Sequence, residues 1–245
     1  MVRNIEKSTR FHERTKLELP VRVDFFEEDA ALSAGSLTNE VTACGVDFLL
    51  SRPLEPKRLV RLRMAMPKHL RLYDFGEPRY EVWAIVSSVR IVETETPDRF
   101  MFRIGAALIG KNPPASFRRD PLTLYDLNPI LPRGGFWHFR EIPRRRGRYS
   151  RALETRENYR LALLFQTLDN DGEVMETTVA ETLDISQSGA ALVTKLKSGC
   201  SDYGLVKSPD RDIRLLARIR RVKPLEDDGA VKLNLEFVSG EWPFL

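Results

Sequence analysis

The chain has 245 residues, 39 of them basic and 35 acidic, for a formal net charge of +4, with 42% hydrophobic and 30% charged residues. That length allows two cores of about 100 residues each, and the composition excludes a disordered or fibrous chain. Only Cys44 and Cys200 are present, with three scattered histidines, which excludes a disulfide framework and a four-ligand zinc site.

The N-terminal stretch MVRNIEKSTRFHERTK has no apolar signal-peptide segment, and no run approaches the roughly 20 apolar residues of a membrane span. A cytoplasmic protein with no membrane span is expected. Next comes an RxxxR pair, Arg10 and Arg14, followed by a segment in which Val21, Val23 and Phe25 alternate with Arg22 and Asp24. A period of two marks a strand with one buried face. A turn pattern of acid, any, hydroxyl, any, any, glycine follows at Glu40, Thr42 and Gly45, and further strands are predicted at Val60–Met66, Trp83–Val89 and Phe100–Leu108. Trp83, Phe100 and Phe102 read as core residues on strand faces.

From about Lys111 to Arg151 the chain carries Pro113, Pro114, Pro121, Pro129, Pro132, Gly134, Gly135, Pro143 and an arginine run. Proline removes backbone donors and glycine relaxes the backbone, so a linker is predicted, with at most a short helix within 116–127 packed on the first module. Phe136, Trp137 and Phe139 read as a docking anchor between modules or for a partner.

The same order of signals then returns. Arg156 and Arg160 form an RxxxR pair, Asp184, Ser186 and Gly189 form the acid-hydroxyl-glycine turn, Leu216–Val222 matches Trp83–Val89, and Val231–Phe237 is a cleanly alternating closing strand. RxxxR alone is weak in so arginine-rich a chain. Among the 14 glycines, however, only Gly45 and Gly189 have an acid five residues before and a hydroxyl three before. From arginine pair to acid the two copies count 26 and 24 residues, Arg14 to Glu40 and Arg160 to Asp184. From Glu40 to Ala84 is 44 residues, but from Asp184 to Ala217 is 33, so a strand or hairpin of the second copy is expected to be shortened around Ser198 to Asp212. Three segments are predicted: a degenerate module over 1–112, a Pro/Arg-rich linker over 113–150, and a complete module over 151–245.

This pattern, RxxxR followed some twenty residues later by (D/N)xSxxG, resembles the PilZ domains. The second copy has all five positions, Arg156, Arg160, Asp184, Ser186 and Gly189; the first has Arg10, Arg14 and Gly45 outright, with Glu40 and Thr42 as substitutes. The closing-strand glycine of similar proteins is Gly105 in the first copy and Asn234 in the second. The resemblance implies an all-β fold with minor α content, two six-stranded antiparallel β-barrels in tandem, the second shortened. It also implies a cyclic-di-GMP receptor that is not an enzyme, needs no cofactor or metal, and changes its inter-domain arrangement and its binding to an unidentified protein partner.

The residue types suit such a ligand. A guanidinium grips phosphate oxygens through paired donors and stacks on a purine, the role expected of Arg156 and Arg160. A carboxylate such as Asp184 accepts from the guanine edge, and the Ser186 hydroxyl donates or accepts beside it. Gly189 admits a positive φ or a close approach to the backbone. Arg10, Arg14, Glu40, Thr42 and Gly45 form a possible second site. Asp184 and Ser186 could equally do no more than shape a turn. Two other readings stay open, a basic β-barrel that binds nucleic acid and a ligand-free protein-interaction adaptor. The first is disfavoured because the positive charge sits mainly in the linker. No nucleophile with a placed base, no metal set and no phosphate loop suggests catalysis.

Overall fold

The computed structural model describes residues 15–27, 30–130, 135–143, 157–197, 201–226 and 229–243. Arg10, Arg14, Arg156 and the arginine run from Arg144 to Arg151 lie outside the described residues.

The first half of the chain runs β1 (Thr15–Lys16), β2 (Pro20–Glu27), β3 (Ala30–Val41), β4 (Gly45–Leu50), β5 (Leu59–Met64), β6 (Tyr80–Glu93) and β7 (Phe100–Gly110). Its strands pair in the order β3-β2-β5-β6-β7-β4, and β4 returns to β3, which closes a six-stranded antiparallel barrel; β1 adds two residues against the far end of β3. Period-two burial is the cause. Val21, Val23 and Phe25 point inward from β2 and Val60, Leu62 and Met64 from β5, all buried, and closure leaves no strand edge exposed.

The second half repeats the plan with β10 (Ala162–Leu168), β11 (Val174–Ser186), β12 (Gly189–Lys195), β13 (Tyr203–Ser208), β14 (Ile213–Pro224) and β15 (Ala230–Phe237). Around the barrel they run β11-β10-β13-β14-β15-β12, the same circuit strand for strand. Leu163, Phe165, Ile185, Leu192, Val206, Leu233 and Leu235 fill the interior, each worth about 1.5–3 kcal/mol over leaving it exposed.

The shortening expected around Ser198 to Asp212 falls in one hairpin connection and costs the second barrel no strand. Fifteen residues separate Met64 from Tyr80 and four separate Ser208 from Ile213, a difference of eleven that accounts for the whole shortfall. The longer connection organises itself around Arg71, a buried cation whose guanidinium donates to the carbonyls of Met66 at 2.7 Å, Asp74 at 2.8 Å and Glu77 at 2.6 Å. Three backbone acceptors satisfy the charge where no carboxylate does.

The proline-rich stretch after β7 is also more ordered than a linker. It forms α1 (Ala115–Arg119) and a hairpin of β8 (Leu124–Leu127) and β9 (Phe139–Ile142). Tyr125 is fully buried, its hydroxyl 2.9 Å from Ser116 Oγ and its ring edge-on to Phe139 at 5.6 Å, while Trp137 and Phe139 pack on the same cluster as Leu59 and Ile85. The aromatic payload outweighs the missing proline donors. Trp83 faces outward beneath α1, 4.9 Å from Phe117, not into the barrel; Phe100 and Phe102 are buried as expected.

By compactness the chain divides into two units. One holds Met1–Leu49, Lys57–Ser87 and Gly105–Pro143; the other holds Leu50–Pro56, Ser88–Ile104 and Arg144–Leu245. Within the second unit, Phe100 N donates to Gly172 O at 2.9 Å and Val174 N to Asp98 O at 2.8 Å. Gly172 has φ +76°, and a Cβ there would stand 2.4 Å from Phe100 O, so only glycine fits the turn. Among the described residues no helix is long and apolar enough to cross a membrane.

Candidate ligand site on the second barrel

The acid-hydroxyl-glycine motif lies where β11 turns into β12. Ser186 is paired with Gly189 across a two-residue turn, Ile185 with Ala190 and Asp184 with Ala191; Ile185 and Ala190 belong to the core, so Asp184 and Ala191 face the outside of the barrel. An irregularity between Thr182 and Asp184 shifts the register, as a bulge does when it re-aims a side chain.

Ser186 is 1% exposed and its Oγ donates to Gly189 O at 3.2 Å. With its single hydrogen directed at Gly189 O, the hydroxyl retains only lone pairs, which is the accepting one of the two roles expected of it. Gly189 needs no positive φ. A Cβ at this position would meet Leu235 O of the neighbouring strand at 2.3 Å, so the close passage of β15 by itself calls for glycine. Trp242 closes the barrel end beside the turn: its N donates to Gln187 O at 2.9 Å and its ring stacks on Phe237.

The arginine-bearing segment is brought to this hairpin by backbone. Glu157 N donates to Ile185 O and Ile185 N to Glu157 O, both at 3.1 Å, and this antiparallel bridge lies between the Asp and the Ser of the motif. Fully buried Thr182 then grips the chain beyond: its Oγ1 accepts from Leu161 N at 2.8 Å and donates to Tyr159 O. Arg160 therefore sits between two residues bound to Thr182. Its exposed Nη1 donates to Glu181 Oε1 at 2.8 Å, with the arginine side chain 72% exposed. Arg156 precedes Glu157 in the chain and lies outside the described residues.

The first barrel has the same frame. Thr38 Oγ1 accepts from Leu19 N at 2.9 Å and donates to Leu17 O, Thr15 is paired with Val41, an irregularity separates Thr38 from Glu40, and Thr42 Oγ1 donates to Gly45 O at 3.1 Å. Counted from the gripped residues, Leu17 and Leu19 against Tyr159 and Leu161, the residue matching Arg160 is Glu18, and Arg14 matches Arg156. The sequence expectation that paired Arg14 with Arg160 is thus off by one arginine. Leu37, where the second copy has Glu181, is 52% exposed. The two gripping threonines escaped the sequence reading because a threonine two residues before an acid carries no distinguishing charge or periodicity.

The order of motifs on this barrel resembles that of the PilZ domains. A six-stranded barrel carries the DxSxxG turn on its β11–β12 hairpin, and the arginine segment runs beside it, in the order the resemblance implies. No family model matches the sequence, and no curated protein does. Among solved structures the chain is similar to the Bacillus subtilis inhibitor of motility MotI/DgrA, at 14% identity and a TM-score of 0.28 over 92% of this chain and 90% of that one. It is also similar to the Borreliella burgdorferi PlzA protein solved in complex with c-di-GMP, at 7% identity and a TM-score of 0.27 over 93% and 84%, and to Escherichia coli YcgR solved in complex with c-di-GMP, at 12% and 0.25 over 90% and 76%.

Beside the β11–β12 hairpin the outer surface is strongly charged. Arg218 and Arg220 on β14 both reach Glu55 Oε1, at 2.5 and 3.0 Å, and Arg220 also pairs with Glu236. Burial works against the Arg218 charge, but Glu55 more than compensates and holds the guanidinium above its ordinary pKa. Among the described residues no group of three or more His, Cys, Asp or Glu side chains could hold a metal ion.

Proposed function

We propose that the second barrel is a receptor for cyclic-di-GMP, with Arg160 and Arg156 taking phosphate and purine face, and Asp184 taking the guanine edge. The observation that carries this reading is that the Glu157–Ile185 bridge and the Thr182 grip hold an exposed guanidinium, Arg160, beside the strand that bears Asp184, where the same frame in the first barrel holds Glu18. Guanidinium and carboxylate are the groups a guanine dinucleotide calls for. Ser186 and Gly189 act beneath the site by holding the turn that aims Asp184. The first barrel, with Glu18 at the Arg160 position, does not bind ligand in this reading.

Ligand binding in this reading changes the inter-domain arrangement, which is what a protein partner senses; a ligand shifts such an equilibrium only through its differential affinity for the two states. Isothermal titration of the whole chain should show saturable binding of cyclic-di-GMP and none of GTP. Arg160→Ala and Asp184→Ala should each weaken binding at least tenfold, about 1.4 kcal/mol or more, as expected for charge-assisted hydrogen bonds. Undiminished affinity in both variants would reject the site.

A further inference from the structure

We propose that the first barrel carries a docking edge, residues 31–35 of β3, and that its occupant is the same stretch of a second copy of this chain, added antiparallel as a further strand. The edge is independent of the receptor reading.

Antiparallel strands use alternate residues to bond each neighbour. On β3, Thr38 N donates to Leu19 O at 3.0 Å, and Leu37 stands opposite Pro20, which has no N–H to give. Ser36, Ala34 and Leu32 therefore bond to β2, while Gly35, Ser33 and Ala31 turn their N–H and C=O groups the other way. The strand on that side is β4, but its register with β3 ends with Thr38 opposite Phe48. Among the described residues β2 is the only ladder partner of residues 30–37. Ala31, Ser33 and Gly35 are all exposed, so their donors and carbonyls line an open edge.

Such an edge is a template for another strand, and folds guard it with a lysine, a proline, a bulge or a covering chain. The second barrel has its guard. Aligned through Thr38 and Thr182, residues 31–35 of β3 match 175–179 of β11. There Thr178 Oγ1 donates to Lys195 O at 3.1 Å and Lys197 N to the Glu176 carboxylate at 3.0 Å, which keeps the chain leaving β12 along the strand. The counterparts of Thr178 and Glu176 on β3 are Ala34 and Leu32, which have no polar side-chain atom to hold a neighbour. From Ala30 to Leu37 there is neither a charge nor a proline. Gly35 costs a strand interior about 0.5–1 kcal/mol, yet its φ is not positive and a Cβ there would meet nothing within 4 Å. No contact inside the chain calls for glycine; the close approach of another backbone does.

The edge is its own complement. A twofold axis at Ser33 sets Ser33 against Ser33 and Ala31 against Gly35 of the other copy. Each opposed pair exchanges two hydrogen bonds, so every outward N–H and C=O of the three residues finds a partner. A chain that pairs with itself brings like side chains together near the axis, which a charged strand could not tolerate. Residues 30–37 carry no charge, and Asp24, next in the row beyond Ser33, is already paired with Arg22 and Arg63. An isologous twofold contact is the commonest way for a soluble chain to associate. One short strand a side buries far less than the roughly 1,200 Å² of a stable interface, so the dimer forms and dissociates with concentration.

Sedimentation of the full chain over a range of concentrations, joined to hydrogen exchange, tests this. The mass should rise toward that of a dimer, and the Ala31, Ser33 and Gly35 amides should become protected in step, with Leu32 and Ala34 protected throughout. Ala31→Pro removes an N–H that the barrel itself does not use, so the melting temperature of the monomer should hold while self-association weakens at least tenfold. Ala31→Lys with Gly35→Glu in one chain sets opposite charges face to face across the axis and should strengthen association, less so at high salt. Should Ala31→Pro fail to fold, the charge pair decides alone. A chain that stays monomeric, or a dimer that neither change alters, overturns the proposal. Protection of the three amides at every concentration without a change of mass overturns it as well, because the edge is then covered from within the chain. Protection that appears only on adding a peptide of alternating valine and threonine overturns it in favour of a strand from another protein.

Discussion

The two acid-hydroxyl-glycine hairpins share a frame and differ in charge. In both, a buried threonine two residues before the acid holds the incoming chain, at Thr38 and Thr182, and in both the hydroxyl of the turn donates to the glycine carbonyl, Thr42 to Gly45 and Ser186 to Gly189. Around that frame the residues diverge. The Arg160–Glu181 pair of the second hairpin has Glu18 and Leu37 at the corresponding places in the first, and the room around the glycine differs too. The frame is therefore a requirement of the barrel, present whether or not the surface beside it is basic, and the turn motif alone does not mark a binding site. The charges that the frame aims decide that.

The glycines break the symmetry most sharply. A Cβ on Gly189 would meet Leu235 O at 2.3 Å, whereas on Gly45 the nearest atoms, Ala106 O and Thr42 Oγ1, lie at 3.5 Å, an ordinary contact. Gly189→Ala should cost about 3 kcal/mol, because a backbone carbonyl cannot move aside as a side chain does. Gly45→Ala should change stability by about 0.5 kcal/mol at most, through the backbone freedom it removes from the unfolded chain. Urea denaturation of the two variants compares them directly; equal losses would mean the barrels close more similarly than the strand spacing indicates.

The threonines test what the halves have in common. Thr182→Val and Thr38→Val each keep the shape but orphan one N–H and one carbonyl, Leu161 and Tyr159 in one case and Leu19 and Leu17 in the other. Each should lose about 1–2 kcal/mol of stability, since the groups lie near enough to the surface for water to make good part of the loss. Only Thr182→Val should also weaken cyclic-di-GMP binding, because it frees the chain on both sides of Arg160. A parallel loss of affinity in Thr38→Val would place the ligand on the first barrel instead.

Much of this was legible beforehand. Alternation at Val21, Val23 and Phe25 and at Leu233, Leu235 and Phe237 signalled strands, because burial on one face imposes a period of two. The match of Gly105 to Asn234 is reproduced by the hydrogen bonds three residues on, Leu108 N to Cys44 O and Phe237 N to Ser188 O. What stayed hidden depends on register or on packing at a distance. Counting residues from arginine to acid does not register that β2 and β10 enter their hairpins two positions apart, and so aligns Arg14 with Arg160 instead of Arg156. The prolines after Lys111 masked a stretch whose aromatics, Phe117, Tyr125 and Phe139, meet only once the first barrel has closed.

The finest difference between the hairpins is the tether on Arg160, and it predicts a small effect of reversed sign. Glu181 holds the Arg160 guanidinium at 2.8 Å with 51% of its own side chain exposed, and a pair this exposed is worth about 0–1 kcal/mol. A phosphate arriving at Arg160 must displace that carboxylate and meets its negative charge in doing so. Glu181→Gln keeps the size and removes the charge, so affinity for cyclic-di-GMP should rise by up to about fivefold, the equivalent of 1 kcal/mol, with stability almost unchanged. Raising salt should narrow the gap between variant and wild type, because screening weakens both the tether and the repulsion. A fall in affinity would mean that Glu181 positions Arg160 for the ligand and does not compete with it, and the first barrel would then lack, at Leu37, a positioning carboxylate as well as an arginine.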